Sequence, residues 1–201
     1  MSDPQMAQRI YRLILQTFAQ TGHPPSAETI AGTLNLPDVR DVLGELAALE
    51  AEGRLYRDPQ SGVILAAYPF SAMPTPHRVV LGEDRQVYAM CAVDALGMPF
   101  LLGTDAEIRS SCAHCEASVA IHIVAGQVTT ATEGLVIVYT APHSDCCAAT
   151  AQCPYINFFC SPGHAQAWQA RHPELAMKIL SLPEALERGK AVFGSLLQVD
   201  P

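Results

Sequence analysis

Asp38-Val39-Arg40-Asp41-Val42-Leu43-Gly44-Glu45-Leu46-Ala47-Ala48-Leu49-Glu50-Ala51-Glu52-Gly53, residues 38–53, is the stretch that organises the N-terminal part of this chain. Val39, Val42, Leu43, Leu46 and Leu49 recur at helical spacing and predict one buried stripe. Pro37 breaks the chain ahead of them, Asp38 can cap the new helix, and Gly53 stands where a C-terminal cap is expected. On the N-terminal side, Met6, Ile10, Leu13, Ile14 and Phe18 predict a first helix, ended by Gly22, Pro24 and Pro25. Ser26 caps a short second helix that carries Glu28 in its first turn and buries Ile30 and Leu34. On the C-terminal side, Leu55–Arg57 and Val63–Ala66 flank Asp58-Pro59-Gln60-Ser61-Gly62, the pattern of a hairpin. Three helices and a hairpin over residues 5–66 predict a winged-helix-like unit, and residues 1–66 are assigned to it.

Such units often bind DNA, but the charges here oppose it. Asp38, Asp41, Glu45, Glu50 and Glu52 face a single base, Arg40, in the helix that would meet the phosphates. The whole chain of 201 residues carries a formal net charge of -8, so neither nucleic acid nor an anionic membrane surface is expected as a partner. Hydrophobic residues make up 49% and charged residues 16%, which excludes global disorder. No apolar run approaches the ~18 residues of a membrane helix. Met1–Arg12 is polar, interrupted by Asp3, Arg9 and Arg12, and does not read as a signal peptide. A cytoplasmic protein is expected, and its seven cysteines then point to metal or catalysis rather than to disulfides.

Residues 67–76 hold three prolines and read as an extended linker. Residues 77–201 alternate between strand and helix patterns. Strands are predicted at 77–81, 107–110, 118–124, 127–131, 135–140, 155–160 and 178–180, and helices at 86–96, 162–171 and 183–197. The fold class is therefore α+β: a winged-helix-like unit followed by a mixed β-sheet core with flanking helices.

Two segments of the core carry chemistry. In Tyr88-Ala89-Met90-Cys91-Ala92-Val93-Asp94-Ala95-Leu96, Cys91 and Asp94 share a helix face in apolar surroundings. Burial there raises an aspartate's pKa and lets it hold a proton near neutrality. A thiol beside such an acid suits a soft electrophile; a structural cysteine beside a capping aspartate is the plain alternative. In Cys153-Pro154-Tyr155-Ile156-Asn157-Phe158-Phe159-Cys160, Cys153 ends a loop before an apolar strand, where a thiolate can be accessible. Cys160 reads as core. Tyr155 and Asn157 alternate after Cys153 and are read as packing residues.

These segments resemble the alkylmercury (organomercurial) lyase family. The resemblance rests on Tyr-Ala-x-Cys-Ala-x-Asp-x-Leu at 88–96 with Pro99 and Leu102-Gly103, and on Cys153 ahead of Phe158-Phe159 and Trp168. It implies a winged-helix-like unit before a catalytic core at 77–201. It also implies protonolytic cleavage of carbon–mercury bonds, with Cys91 and Cys153 as mercury-binding thiols and Asp94 as the acid. No organic cofactor is implied. Hg(II) is the product, to be taken up by small thiols or a mercuric reductase.

The family pattern implies one cysteine in the hairpin Cys112-Ala113-His114-Cys115, matching Cys112. Cys115 is extra, and so are Cys146 and Cys147. A Cys-x-x-Cys hairpin is half of a zinc site, and Cys146-Cys147 is the candidate other half, although an adjacent pair departs from usual ligand spacing. His114 is read as exposed, and His122, His143, His164 and His172 as non-ligands. A non-enzymatic cysteine protein binding copper, zinc or mercury on the same fold is the rival reading; a metal store has no need of a carboxylate beside its thiol.

Overall fold

A computed structural model describes residues 3–82, 84–141 and 148–197. The chain opens with helices α1 (Pro4–Thr21), α2 (Ala27–Leu34) and α3 (Val39–Ala51), capped by Asp3, Ser26 and Asp38 through their side chains. Then come β1 (Leu55–Arg57), β2 (Ile64–Ala67), β3 (Phe70–Ser71), β4 (Arg78–Leu81) and β5 (Arg85–Ala89). Helix α4 (Ala92–Leu102) precedes β6 (Ala106–Ser111), β7 (Ser118–Val124), β8 (Gln127–Ala131) and β9 (Val136–Thr140). The short α5 (Ala148–Ala151) leads into a 3-10 turn at Cys153–Tyr155, followed by β10 (Asn157–Phe159), α6 (Pro162–Gln169), β11 (Met177–Ser181) and α7 (Leu182–Phe193). The result is a mixed α+β fold.

The strands form two antiparallel sheets. The larger has the order β1-β2-β3-β5-β4-β6-β7-β8, the smaller β10-β9-β11. The larger sheet runs through the segment expected to be a linker, because Phe70 and Ser71 pair with Ala67 and Ala66 on one side and with Ala89 and Tyr88 on the other. The main apolar core accordingly joins the N-terminal helices to the larger sheet and α4, and a smaller cluster gathers Cys112, Val138, Phe159 and Ala165. Ile10, Ile14 and Phe18 of α1 join the main core with Leu46, Leu49, Phe70 and Ala89, and the rings of Phe18 and Phe70 stack with centroids 5.5 Å apart. In α3 the stripe is narrower than the sequence predicts: Val42, Leu46 and Leu49 are buried, Leu43 is exposed, and Glu45 is buried. Glu45 has a reason to turn inward, since its carboxylate accepts the Asp3 N–H at 3.0 Å.

Residues 86–96 do not form one helix. Residues 85–89 are β5, paired with β4, and the helix starts only at Ala92. The apolar residues Val87 and Ala89 alternate as a strand's must, and pairing with β4 overrides local helix preference. Helix α4 then continues past Leu96, through Pro99, to Leu102. It lies against α7 at a contact of two glycines. A Cβ at Gly97 would overlap Phe193 Cδ2, and one at Gly189 would meet the Gly97 nitrogen at 2.8 Å. Only hydrogen side chains allow this approach, which sets Phe193 against α4.

Candidate active site

The turn from β5 into α4 makes Cys91 the N-cap of the helix rather than a mid-helix residue. Its sulfur accepts the Asp94 N–H at 3.4 Å, taking the place of the usual capping oxygen. Asp94 follows in the first turn, with its carboxylate near the positive helix end. The first N–H of the helix, that of Ala92, is taken by the Ile156 carbonyl at 3.0 Å, and Ile156 N–H in turn donates to the Cys153 carbonyl at 3.1 Å. This chain of backbone bonds carries the 3-10 turn to the mouth of α4. Cys153 thereby comes to Asp94, with Sγ to Oδ2 at 3.8 Å. Residue 153 thus lies in a turn, and the strand expected from 155 begins at Asn157.

Cys91, Asp94 and Cys153 are all buried, with 2%, 5% and 5% of their surfaces exposed. One ligand atom from each lies within 4.8 Å of the other two. Two sulfurs sharing one ion at metal–sulfur distances of about 2.3 Å or more must lie within roughly 5 Å of each other. The arrangement meets that requirement without movement.

Burial dominates the electrostatics. It lifts Asp94 from its usual 3.8 to about 7, against the opposing hydrogen bonds from the Cys91 and Cys153 thiols and the Cys91 backbone. Burial also pushes the Cys91 thiol well up, helped by its contact with Cys153 and by the charges of Asp94 and Cys153. Near neutrality Asp94 is therefore close to the midpoint between its two protonation states, while burial keeps the Cys91 thiol protonated.

The three residues sit in the wall of a cavity of about 340 Å³, within the range of small-ligand sites. Four further lining residues carry no signal in the sequence. Tyr11 and Arg54 come from the N-terminal helical unit, Arg188 and Phe193 from α7. The Tyr11 hydroxyl donates to the Tyr68 carbonyl at 2.9 Å, and burial raises its pKa, with Arg54 opposing the effect and Asp94 adding to it. Arg54 lies over the Tyr11 ring at 5.4 Å and Arg188 over the Tyr139 ring at 4.5 Å. No local motif marks these four residues, because they reach the cavity only through packing of the N-terminal unit and α7 around α4. Tyr155 and Asn157 do not line it: Tyr155 packs edge-on against His172 and Asn157 donates to the Pro154 carbonyl at 2.8 Å.

Of the extra cysteines, Cys115 belongs to a second, separate group. Cys112, Cys115 and Cys160 carry free thiols and cluster with His164. Cys160 is half-buried rather than core, and His164, read from spacing as a non-ligand, stands against two of the sulfurs. His114 is exposed, as expected, and stacks on the His164 ring. Cys146, Cys147 and His143 lie outside the described residues. No helix among the described residues is long and apolar enough to cross a membrane.

Known proteins resemble this chain in fold and in sequence. Residues 4–62 match the family model of the LexA DNA binding domain. A mercury-bound form of MerB2, solved by crystallography, superposes with a TM-score of 0.78 over 96% of this chain and all of that one, at 23% identity, and so shares the fold. The alkylmercury lyase of Staphylococcus epidermidis is 31% identical over 90% of this chain and 80% of its own length. That of Streptomyces lividans is 30% identical over 95% and 85%. Residues 70–194 match the MerB family model, described as alkylmercury lyase, and with that match over more than half its length the chain belongs to the alkylmercury lyase family.

Proposed function

We propose that the chain cleaves carbon–mercury bonds at Cys91, Asp94 and Cys153. The observation that carries this is a carboxyl and two thiols, all buried, within 4.8 Å of one another at the wall of one cavity. Mercury is soft and prefers sulfur to oxygen or nitrogen ligands. The substrate R–Hg⁺ exchanges its solution thiol for the sulfurs of Cys91 and Cys153, which lose their protons as they bind. One of these protons passes to the Asp94 carboxylate, whose affinity for it is raised by burial, and the other leaves with the displaced solution thiol. The two thiolates push electron density onto mercury and weaken the bond to carbon. The C–Hg electron pair then takes the Asp94 proton, RH leaves, and Hg(II) stays on the two sulfurs. Atoms and charge balance with no organic cofactor.

The bound Hg(II) passes to other thiols, small ones or those of a mercuric reductase. A reducing cytoplasm keeps the site thiols competent. The N-terminal unit, winged-helix-like in its element order, serves here as a wall of the cavity through Tyr11 and Arg54, and its acidic α3 argues against DNA as a partner. Incubation of the purified, reduced protein with an organomercurial and excess thiol tests the proposal. Release of the hydrocarbon supports it. Tight metal binding with no hydrocarbon would replace it with the metal-binding reading.

A further inference from the structure

We propose a second, separate metal site: a closed tetrahedral zinc site of Cys112, Cys115, Cys160 and His164. The four ligand atoms lie within 4.8 Å of one another. A tetrahedral ion with Zn–S of about 2.3 Å and Zn–N of about 2.05 Å holds its sulfurs about 3.8 Å apart and its nitrogen about 3.6 Å from each sulfur. The Cys115 and Cys160 sulfurs are 3.7 Å apart. His164 Nδ1 lies 3.6 Å from the Cys112 sulfur and 3.2 Å from that of Cys160. Cys115–Cys160, Cys112–His164 and Cys160–His164, three edges of the tetrahedron, are therefore already near the length it needs.

The local structure is built for it. Cys112 and Cys115 sit in the turn between β6 and β7, closed by Glu116 N–H donating to the Cys112 carbonyl and Cys112 N–H donating to the Ala117 carbonyl, both at 2.8 Å. Glu116 takes a φ of 62° there, a conformation non-glycine residues seldom adopt. Cys160 follows β10, and His164 lies in the first turn of α6, whose N-cap is Ser161. The order Cys-x-x-Cys then Cys-x-x-x-His is a familiar zinc arrangement, a pair from a hairpin and a pair from a strand-to-helix turn.

Zinc fits better than other ions. Three thiolates and an imidazole, with no open position, suit a structural Zn(II) site rather than a hard cation. Its role follows from its position. The hairpin belongs to the larger sheet and β10 to the smaller, so the ion staples the two sheets together. The same segment that supplies Cys160 begins at Cys153, so the staple steadies the turn that bears a mercury-binding thiol.

The test is metal content of the full chain, purified under reductant with added zinc and then freed of excess. About one zinc per chain is expected, and Co(II) in its place should give the visible bands of a tetrahedral site with strong sulfur-to-cobalt charge transfer. Cys115→Ser and His164→Ala should each lower the metal content about tenfold. The Cys91→Ser/Cys153→Ser and Cys146→Ser/Cys147→Ser double variants should retain it. Circular dichroism checks that each variant folds, and for any that does not, the cobalt spectrum of the parent decides. The proposal fails if the parent holds less than about a tenth of an equivalent, if Cys115→Ser keeps its metal, if the Cys146/Cys147 variant loses it instead, or if cobalt shows no thiolate bands. Isolation of a Cys115–Cys160 disulfide from the reduced protein would also overturn it.

Discussion

Replacing Asp94 by asparagine separates what the carboxyl does for catalysis from what it costs the fold. Asp94 is raised from 3.8 to about 7 by burial. Below the lower value both folded and unfolded chains are protonated at this residue, and it contributes no pH dependence. Between the two values the unfolded chain has lost the proton and the folded one keeps it, so stability falls as pH rises. Each unit is worth about 1.4 kcal/mol, and the full shift amounts to about 4 kcal/mol against the parent above neutrality. The asparagine amide cannot ionise. The stability advantage of Asp94→Asn should therefore grow by about 3 kcal/mol from about pH 4.5 to about pH 8, or roughly 10 °C in Tm for a chain of this size.

His77 matters to the raw curves. Its burial lowers it from 6.5 to about 4, against an opposing hydrogen bond with Asn157, so its contribution to stability is lost as pH falls through that window. In the parent the two slopes cancel between about pH 4 and 6.5; the variant should show the His77 slope uncovered. The assay is denaturant unfolding of both proteins across pH, followed by hydrocarbon release from an organomercurial. Turnover should fall by ~10²–10⁴, the loss expected on removing a positioned proton donor, while Hg(II) binding persists through the two sulfurs. Parallel stability curves would show that Asp94 is not held protonated, and turnover at the parent rate would show that the proton comes from elsewhere.

Cys153→Ser should abolish hydrocarbon release and weaken Hg(II) binding by at least about a hundredfold, with little change in Tm, since serine replaces the thiol with little change in size; calorimetric titration with Hg(II) in competing thiol measures it. Gly97→Ala should lower stability by about 1–3 kcal/mol by forcing Phe193 aside, and because Phe193 lines the cavity, kcat/KM should fall with it; an unchanged melting curve would refute the close packing of α4 on α7. Duplex DNA should not be retarded by the protein in a mobility-shift assay at physiological salt, and salt-sensitive retardation would show that the acids of α3 do not decide the matter.

The elements legible in the sequence are those whose signals are local. Ser26 and Asp38 announce helix starts because a capping side chain and the N–H it accepts are near neighbours in the chain. Strands β7 and β8 fall where the strict alternation of Ser118–Val124 and the turn at Ala125-Gly126 place them. Cys91, Asp94 and Cys153 are legible as a set through the resemblance, but their spacing does not say how they meet. Residues 86–96 show why. Whether Val87 and Ala89 belong to a strand is decided by β4 and β3 on either side, and that pairing makes Cys91 a helix cap instead of an interior residue. Tyr11, Arg54, Arg188 and Phe193 reach the cavity from opposite ends of the chain through packing that no short-range pattern encodes. The cysteine–histidine cluster is the sharpest case. Cys115 and Cys160 are 45 positions apart, and Cys146 and Cys147, lying between them in the sequence, are the partners that proximity along the chain suggests. What brings Cys160 and His164 to the β6–β7 hairpin is the approach of β10 and α6, a consequence of how the two sheets pack and therefore a property of the tertiary structure alone.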